Sequence, residues 1–591
     1  MSQADALGAL PEWDLTDLYP GPDSPTLQAD LDGAETEAKA FRDTYAGKLE
    51  TLDGAAMAAA VQRYEKLGET MGRIMSYAQL LHAGNVADPE VGKFYQSMQE
   101  RVNAISSQTL FFVLEMNNLD DARMEELLAD PALARYRPWI EAERIMKPYQ
   151  LADEMEQLLH EKSVAGSAAW TRLFDQTVAG LRFKVGKQEM TSEEALHLLS
   201  EPDAKVRKQA AMALSKTFET NIGLFAHIMN TLVKDKEIED RWRKLPSPQM
   251  SRHLSNRVEP EVVDALRDAV WDAFPKLSHR YYALKAKWLG MKKLEFWDRN
   301  APLPDVDDRK FTWPQARDVV LDAYGRFSPD LAAIGQRFFD QPWIDAPTRP
   351  GKAGGAFAHP TVPSAHPYLL LNYQGKTRDV MTLAHELGHG VHQILAADQG
   401  PLLSYTPLTL AETASVFGEQ LTFRALLASE TDPARRKAML ASKVEDMINT
   451  VVRQTAFYEY ESRVHAERSG GELTPDRLCE IWMDVQAESL GPAIKLRPEY
   501  RTYWCYIMHF VHAPFYVYAY AFGDCLVNSL YAVYQGAEAG FQEKYLDLLR
   551  AGGTKRHKEL LAPFGLDASD PAFWQKGLGV ISSFIDELET L

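Results

Sequence analysis

Residues 376–397, KTRDVMTLAHELGHGVHQILAA, constrain this chain more than any other stretch. Met381, Leu383, Ala384, Leu387, Val391 and Ile394 recur at helical spacing, and no proline interrupts them. Four residues along an α-helix turn about 400° and rise about 6 Å, so His385 and His389 point the same way. Two imidazoles so placed can ligate one zinc ion (Zn2+). Glu386 lies about 100° round from His385 and about 60° from His389. It therefore stands beside the ion, where it can take a proton from a water held there. H-E-x-x-H on a helix is a recognised zinc-hydrolase signature, and composition alone gives about 0.03 such matches in a chain with 15 histidines. Gly388 and Gly390 each weaken the helix by roughly 1 kcal/mol relative to alanine, which predicts another backbone or a substrate passing close by.

Zinc hydrolases usually hold the ion with three protein ligands and leave a position open. The pattern HExxHxxGxxH is excluded, because position 392 is His and position 395 is Leu. His392 lies about 10 Å along the helix axis from His385, too far to share its ion. It is expected either to support the ligands or to sit in the core. Three acids come next: Asp398, Glu412 and Glu419. Asp398 beside Gly400 suits a helix cap. Glu412 and Glu419 lie in the apolar segment TPLTLAETASVFGEQLTF, where a buried carboxylate needs a partner. Zinc supplies one for Glu412. Glu419, two turns on, is placed to orient His385 or His389 through a hydrogen bond. Pairing of both acids with arginines is the alternative.

At 591 residues the chain is too long for one compact core. A weak division near 200 gives a helical N-terminal lobe (1–200) and a zinc-binding catalytic domain (201–591). The net charge of −19 opposes nucleic-acid or anionic-membrane binding. Three cysteines at unrelated spacings form no disulfide framework and fit a reducing compartment. No secretory signal and no membrane span is read, so the cytoplasm is the expected location.

In chain order, Trp13, Leu15, Leu18 and Tyr19 are expected to pin an extended lead-in to the body. Residues 25–240 read as almost wholly helical. Within them, Val91, Phe94, Met98, Val102, Ile105 and Leu110 mark a buried face over 89–117, and Thr191 to Glu194 carry capping chemistry. The helical pattern at 259–289 should kink or split at Pro275. Residues 290–374 are proline-rich. There, PYLLLNY reads as a buried strand with 355–360 as its partner, the one sheet of consequence. The Gly-rich GKAGG, with Gly354 and Gly355, is no phosphate loop, since no GK[ST] completes it. It either lets a peptide backbone approach or is a plain turn. After 397 the helical stretches are 408–428, 432–468, 475–488, 513–535, 537–551 and 570–589.

HELGHGVHQ followed by LAETASVFGEQ resembles the thimet-oligopeptidase-like (M3) zinc metallopeptidases, specifically the oligoendopeptidase F branch. WDLTDLY, GKAGGAFAH, LLLNYQGKTRDVMTLAHELGH and HAPFYVYAYAFG are similar to that branch as well, so the likeness spans nearly the whole chain. The resemblance implies a mainly α, two-lobed molecule enclosing a deep channel that admits short peptides, with one small β-sheet beside the HExxH helix. It also implies His385, His389 and Glu412 as ligands of one zinc ion and Glu386 as base. A late His and Tyr would bind substrate and steady the oxyanion. His509 is the best match, with Tyr516, Tyr518 and Tyr520 as candidates and His512 leaving the register open. In a strand 516, 518 and 520 face one way; in a helix 516 and 520 share a face without 518. The expected function is endopeptidase cleavage of short peptides, with residues 368–373 pairing with the substrate backbone. A zinc carboxypeptidase and a catalytically silent peptide-binding protein are the alternatives.

Overall fold

The computed structural model describes residues 7–163, 165–303, 309–536 and 540–591. They are predominantly helical, with three small sheets. Compactness divides the chain into two units, neither of them contiguous. The first comprises Met1–Lys147, Asp308–Ser429 and Ala537–Gly565; the second comprises Pro148–Asp307, Glu430–Gly536 and Leu566–Leu591. The boundary expected at residue 200 falls inside the second unit. Chain order and compactness therefore partition the molecule differently.

The first unit holds the three-stranded sheet, which consists of β1 (Ile344–Pro347), β2 (Phe357–His359) and β3 (Tyr368–Tyr373). The strand order is β1-β3-β2, with β1 parallel and β2 antiparallel to β3. The pairing of 355–360 with PYLLLNY thus exists, in the register Ala358 to Leu369. β3 is central, so both its edges are occupied. It cannot pair with a substrate as expected; β1 and β2 have the outer edges, and that of β1 is met by the lead-in, with the Ala346 N–H donating to the Pro11 carbonyl. Under the sheet the buried carboxylate of Asp345 binds Arg349 and Lys352. Lys352, the lysine of GKAGG, also donates to the carbonyls of Pro347 and Leu371, which ties this loop to β3. The lead-in runs along the sheet, with Tyr368 donating to the Asp14 carbonyl and Leu18 and Tyr19 buried.

Three helices of this unit carry the HExxH segment and its neighbours: α1 (Trp313–Phe327), α2 (Thr377–Ala396) and α3 (Thr413–Ser429). α1 and the helix after it, Pro329–Asp340, lie in the stretch read as proline-rich. Their prolines open them, just after side-chain caps at Thr312 and Ser328, where a missing N–H costs nothing. The 89–117 face is interrupted. One helix ends at Ser107, the next starts at Leu110, and Leu110 is 59% exposed while Met98 and Ile105 are buried.

In the second unit the 259–289 pattern splits at Pro275 into Pro260–Ala273 and Ser278–Trp288. Thr191 and Glu194 form a reciprocal capping box. The 513–535 stretch is helical only over Tyr518–Gln535, and a separate short helix, His509–His512, precedes it. Among the described residues no helix is long and apolar enough to cross a membrane.

Candidate metal centre

The centre is built by the approach of α2 to α3. An added Cβ on Gly388 would lie 2.5 Å from the Ala414 carbonyl oxygen, so only glycine lets the two backbones come this close. Gly390 makes room for the Phe338 ring instead. From the α3 side, Gly418 leaves space for Tyr324 of α1, whose hydroxyl donates to the Ala384 carbonyl at 2.6 Å. Tyr545 donates to the Thr413 carbonyl at 2.8 Å and fixes the start of α3. The region read as one helix over 408–428 is broken at Glu412. A single turn, Leu408–Ala411, ends there, and α3 begins at Thr413. The break places Glu412 on the turn that faces the α2 histidines.

His385 Nε2 lies 3.4 Å and His389 Nε2 3.5 Å from Glu412 Oε2. The three donor atoms all lie within 4.8 Å of one another, a spacing that one ion can bridge. Each group keeps a partner on its other side. Glu419 Oε2 is 3.3 Å from His385 Nδ1, Ser415 donates to Glu412 Oε2 at 2.7 Å, and the His389 ring hydrogen-bonds the Ala411 carbonyl. Such outer contacts set ring orientation and tautomer at metal sites. Ser415 does not stand out in the sequence; its spacing of three from Glu412 is the signal that marks it.

The electrostatics favour a cation. Burial alone would depress His385, but the Glu419 hydrogen bond and the charges of Glu412, Glu386 and Glu419 raise it to about 9. Burial holds His389 down at about 4, so its ring is neutral and offers a lone pair. The donor set and its field therefore fit a divalent metal with nitrogen and oxygen ligands.

Glu386 is buried and borders a cleft of about 380 Å³ beside β2 and β3. Burial raises its carboxyl to about 7, against the pull of His385, and the Ala358 N–H of β2 donates to it. Gly355 edges the cleft with φ +77°, and an added Cβ on Gly354 or Gly355 would meet open space. His392 is buried and reaches Thr406 and the Ala411 carbonyl, so it braces the chain just before Glu412.

The late segment resolves in the second unit. His509, Tyr516 and Tyr520 cluster, with ring centroids 5.4–6.0 Å apart and His509 Nε2 3.2 Å from the Tyr520 hydroxyl. Tyr516 and Tyr520 come together, but Tyr516 precedes the helix that starts at Tyr518, so the segment is neither the strand nor the single helix that the sequence left open. Tyr518 does not join them. It is 2% exposed, and its hydroxyl accepts from Asn256 and lies 3.2 Å from His253 Nδ1. His512 is engaged by Asp175 at 2.7 Å.

Known proteins share this sequence pattern and this fold. The family model for peptidase family M3 matches residues 197–580, and that for oligopeptidase F matches 115–183. Oligopeptidase PepF of Bacillus subtilis (strain 168) is 27% identical over 594 residues, covering 98% of this chain and 87% of that protein. The crystal structure of oligoendopeptidase-F from Enterococcus faecium shares the fold with a TM-score of 0.71 at 23% identity, over 96% of this chain and 97% of that one. A Chlamydophila abortus structure does so with a TM-score of 0.87 at 23% identity, over 98% of each chain. The M3 model alone spans more than half of the sequence, and the chain belongs to peptidase family M3, in its oligoendopeptidase F branch.

Proposed function

We propose that the chain is a zinc-dependent endopeptidase that hydrolyses internal bonds of short, unstructured peptides. The observation that carries the reading is the convergence of His385 Nε2, His389 Nε2 and Glu412 Oε2 beside Glu386 and its cleft. When bound, a zinc ion supplies a Lewis acid that makes a water nucleophilic near neutral pH and polarises the scissile carbonyl. The two histidines and Glu412 hold it. Glu419 keeps His385 in the tautomer that presents Nε2. Glu386 receives the proton of the attacking water on its carboxylate and hands it to the departing amine nitrogen. The outer edge of β2 can hydrogen-bond the peptide backbone, which gives binding with little dependence on side chains. On the family resemblance, His509, Tyr516 and Tyr520 bind substrate or steady the oxyanion. The three cysteines are buried and unbridged, which supports a cytoplasmic setting.

Metal analysis of the purified protein, with mass spectrometry of a digested peptide mixture, tests the reading. The expected result is one zinc per chain and internal fragments whose formation a chelator stops. Stepwise loss from the C-terminus would instead make it a carboxypeptidase. A metal-free protein without chelator-sensitive cleavage would make it a silent peptide binder.

A further inference from the structure

The cleft that Glu386 borders is lined by Gly355, Ala356, Leu371, Asn372, Tyr373, Arg378, Asp379 and Thr382. Most of its polar groups are already used. Asn372 Nδ2 donates to the carbonyls of Ala353 and Gly355. Tyr373 donates to the Phe311 carbonyl, and Thr382 to that of Arg378. Asp379 Oδ2 accepts the N–H groups of Gln374 and Lys376, closing the start of α2. Arg378 is the exception. It is exposed, and among the described residues its guanidinium has neither a hydrogen-bond nor an ion-pair partner.

Arg378, Thr382 and Glu386 stand at i, i+4 and i+8, one line along α2. Arg378 is therefore about 12 Å along the axis from Glu386. An extended peptide advances about 3.3 Å per residue. With the reach of the arginine side chain allowed for, the group it meets lies roughly two to four residues from the bond above Glu386. A guanidinium binds a carboxylate in a two-pronged, planar fashion that no other lining side chain offers. The chain carries a net charge of −19, so a substrate carboxylate meets general repulsion unless a local cation receives it.

We propose that Arg378 is a specificity-determining residue that binds a carboxylate of the peptide, either an Asp or Glu side chain or the free C-terminus, two to four residues from the cut. The proposal rests on the zinc-peptidase reading of the same site and deepens it.

The test uses the full-length zinc-loaded protein and a neutral, C-terminally amidated peptide with glutamine at the second to fourth positions on either side of the cut. One arm exchanges single glutamines for glutamate. The other replaces the amide by a free acid in peptides ending two to four residues beyond the cut. The readout is the ratio of kcat/KM between the carboxylate-bearing peptide and its neutral match, measured within each protein. About a tenfold preference is expected in one arm of the wild type, carried mainly by KM. It should fall to about one in Arg378→Gln and be partly kept in Arg378→Lys. The arm that responds identifies the source of the carboxylate. Cleavage of the neutral peptide without any such preference, or a preference that survives in Arg378→Gln, overturns the proposal and leaves the peptidase reading intact. No cleavage of any peptide overturns both.

Discussion

The surroundings of His385 and of Tyr518 are alike in one respect: each is a polar ring largely enclosed by protein. They differ in what encloses them. Around His385, three carboxylates of one sign converge, while Nε2 of both α2 histidines and an oxygen of Glu412 face a common point. Around Tyr518, Asn256 supplies a donor and His253 a ring nitrogen, so the hydroxyl is satisfied within the protein. Buried polar groups are almost always paired. Burial alone therefore does not mark a site. Convergence of acceptor atoms on one point does, because three carboxylates there outnumber the one imidazole, His385, that is raised to carry a charge against them, and a bound cation offsets their repulsion.

The largest effect that could break this contrast is at Glu386. Glu386→Gln keeps the shape of the side chain and removes its ability to accept a proton. Turnover should drop by about 10²–10⁴-fold, the usual range for a lost general base, with metal content unchanged. Steady-state kinetics paired with metal analysis reads both. Undiminished kcat would mean that the carboxylate beside the cleft is not the base, and the centre would then be a metal site without the proposed chemistry.

The same contrast explains what the sequence can and cannot show. His385 and His389 are legible because helical periodicity fixes their common direction from four residues of spacing. The β2–β3 pairing is legible from an apolar run beside turn residues. Glu412 stands out as a carboxylate in an apolar segment, yet the break that presents it does not, since LTLAETASV carries no helix-stopping residue. β1 escapes a sequence reading because four residues ending in proline carry almost no periodic signal. The tyrosines at 516, 518 and 520 look equivalent in composition. Only the tertiary neighbours, His253 and Asn256 for one and His509 for another, separate them. That the Arg378 guanidinium has no partner among the described residues is likewise a property of the folded chain.

A smaller effect sharpens the metal side of the comparison. Glu419→Gln leaves a hydrogen-bonding group near His385 Nδ1 but removes its charge, and metal affinity should weaken about 10–100-fold. Competition with a chromophoric chelator measures it. Unchanged affinity would reduce Glu419 to a packing residue. Gly388→Ala probes the helix approach itself. The added methyl gains roughly 1 kcal/mol of helix propensity and costs roughly 1–3 kcal/mol by pushing on the Ala414 carbonyl. Metal affinity should fall together with thermal stability, because the turn that bears Glu412 moves with α3. Stability lost at constant affinity would show that the ligand turn is held independently of this contact.

The smallest effects concern the two tyrosines, and they test the contrast from its other side. Tyr518→Phe removes the acceptor for Asn256 Nδ2 in a buried setting, at a cost of about 1–3 kcal/mol. Tyr520→Phe removes a hydroxyl from a residue 36% exposed, and should change stability by no more than about 0.5 kcal/mol. Urea titration of the two variants compares them directly. If Tyr520 serves the reaction, its variant should lose turnover at nearly full stability, whereas the Tyr518 variant should lose stability and keep its turnover per folded molecule. The reverse pattern would mean that satisfied hydrogen bonding is no guide to which aromatic residues act on substrate, and the distinction between the two enclosed rings would fail with it.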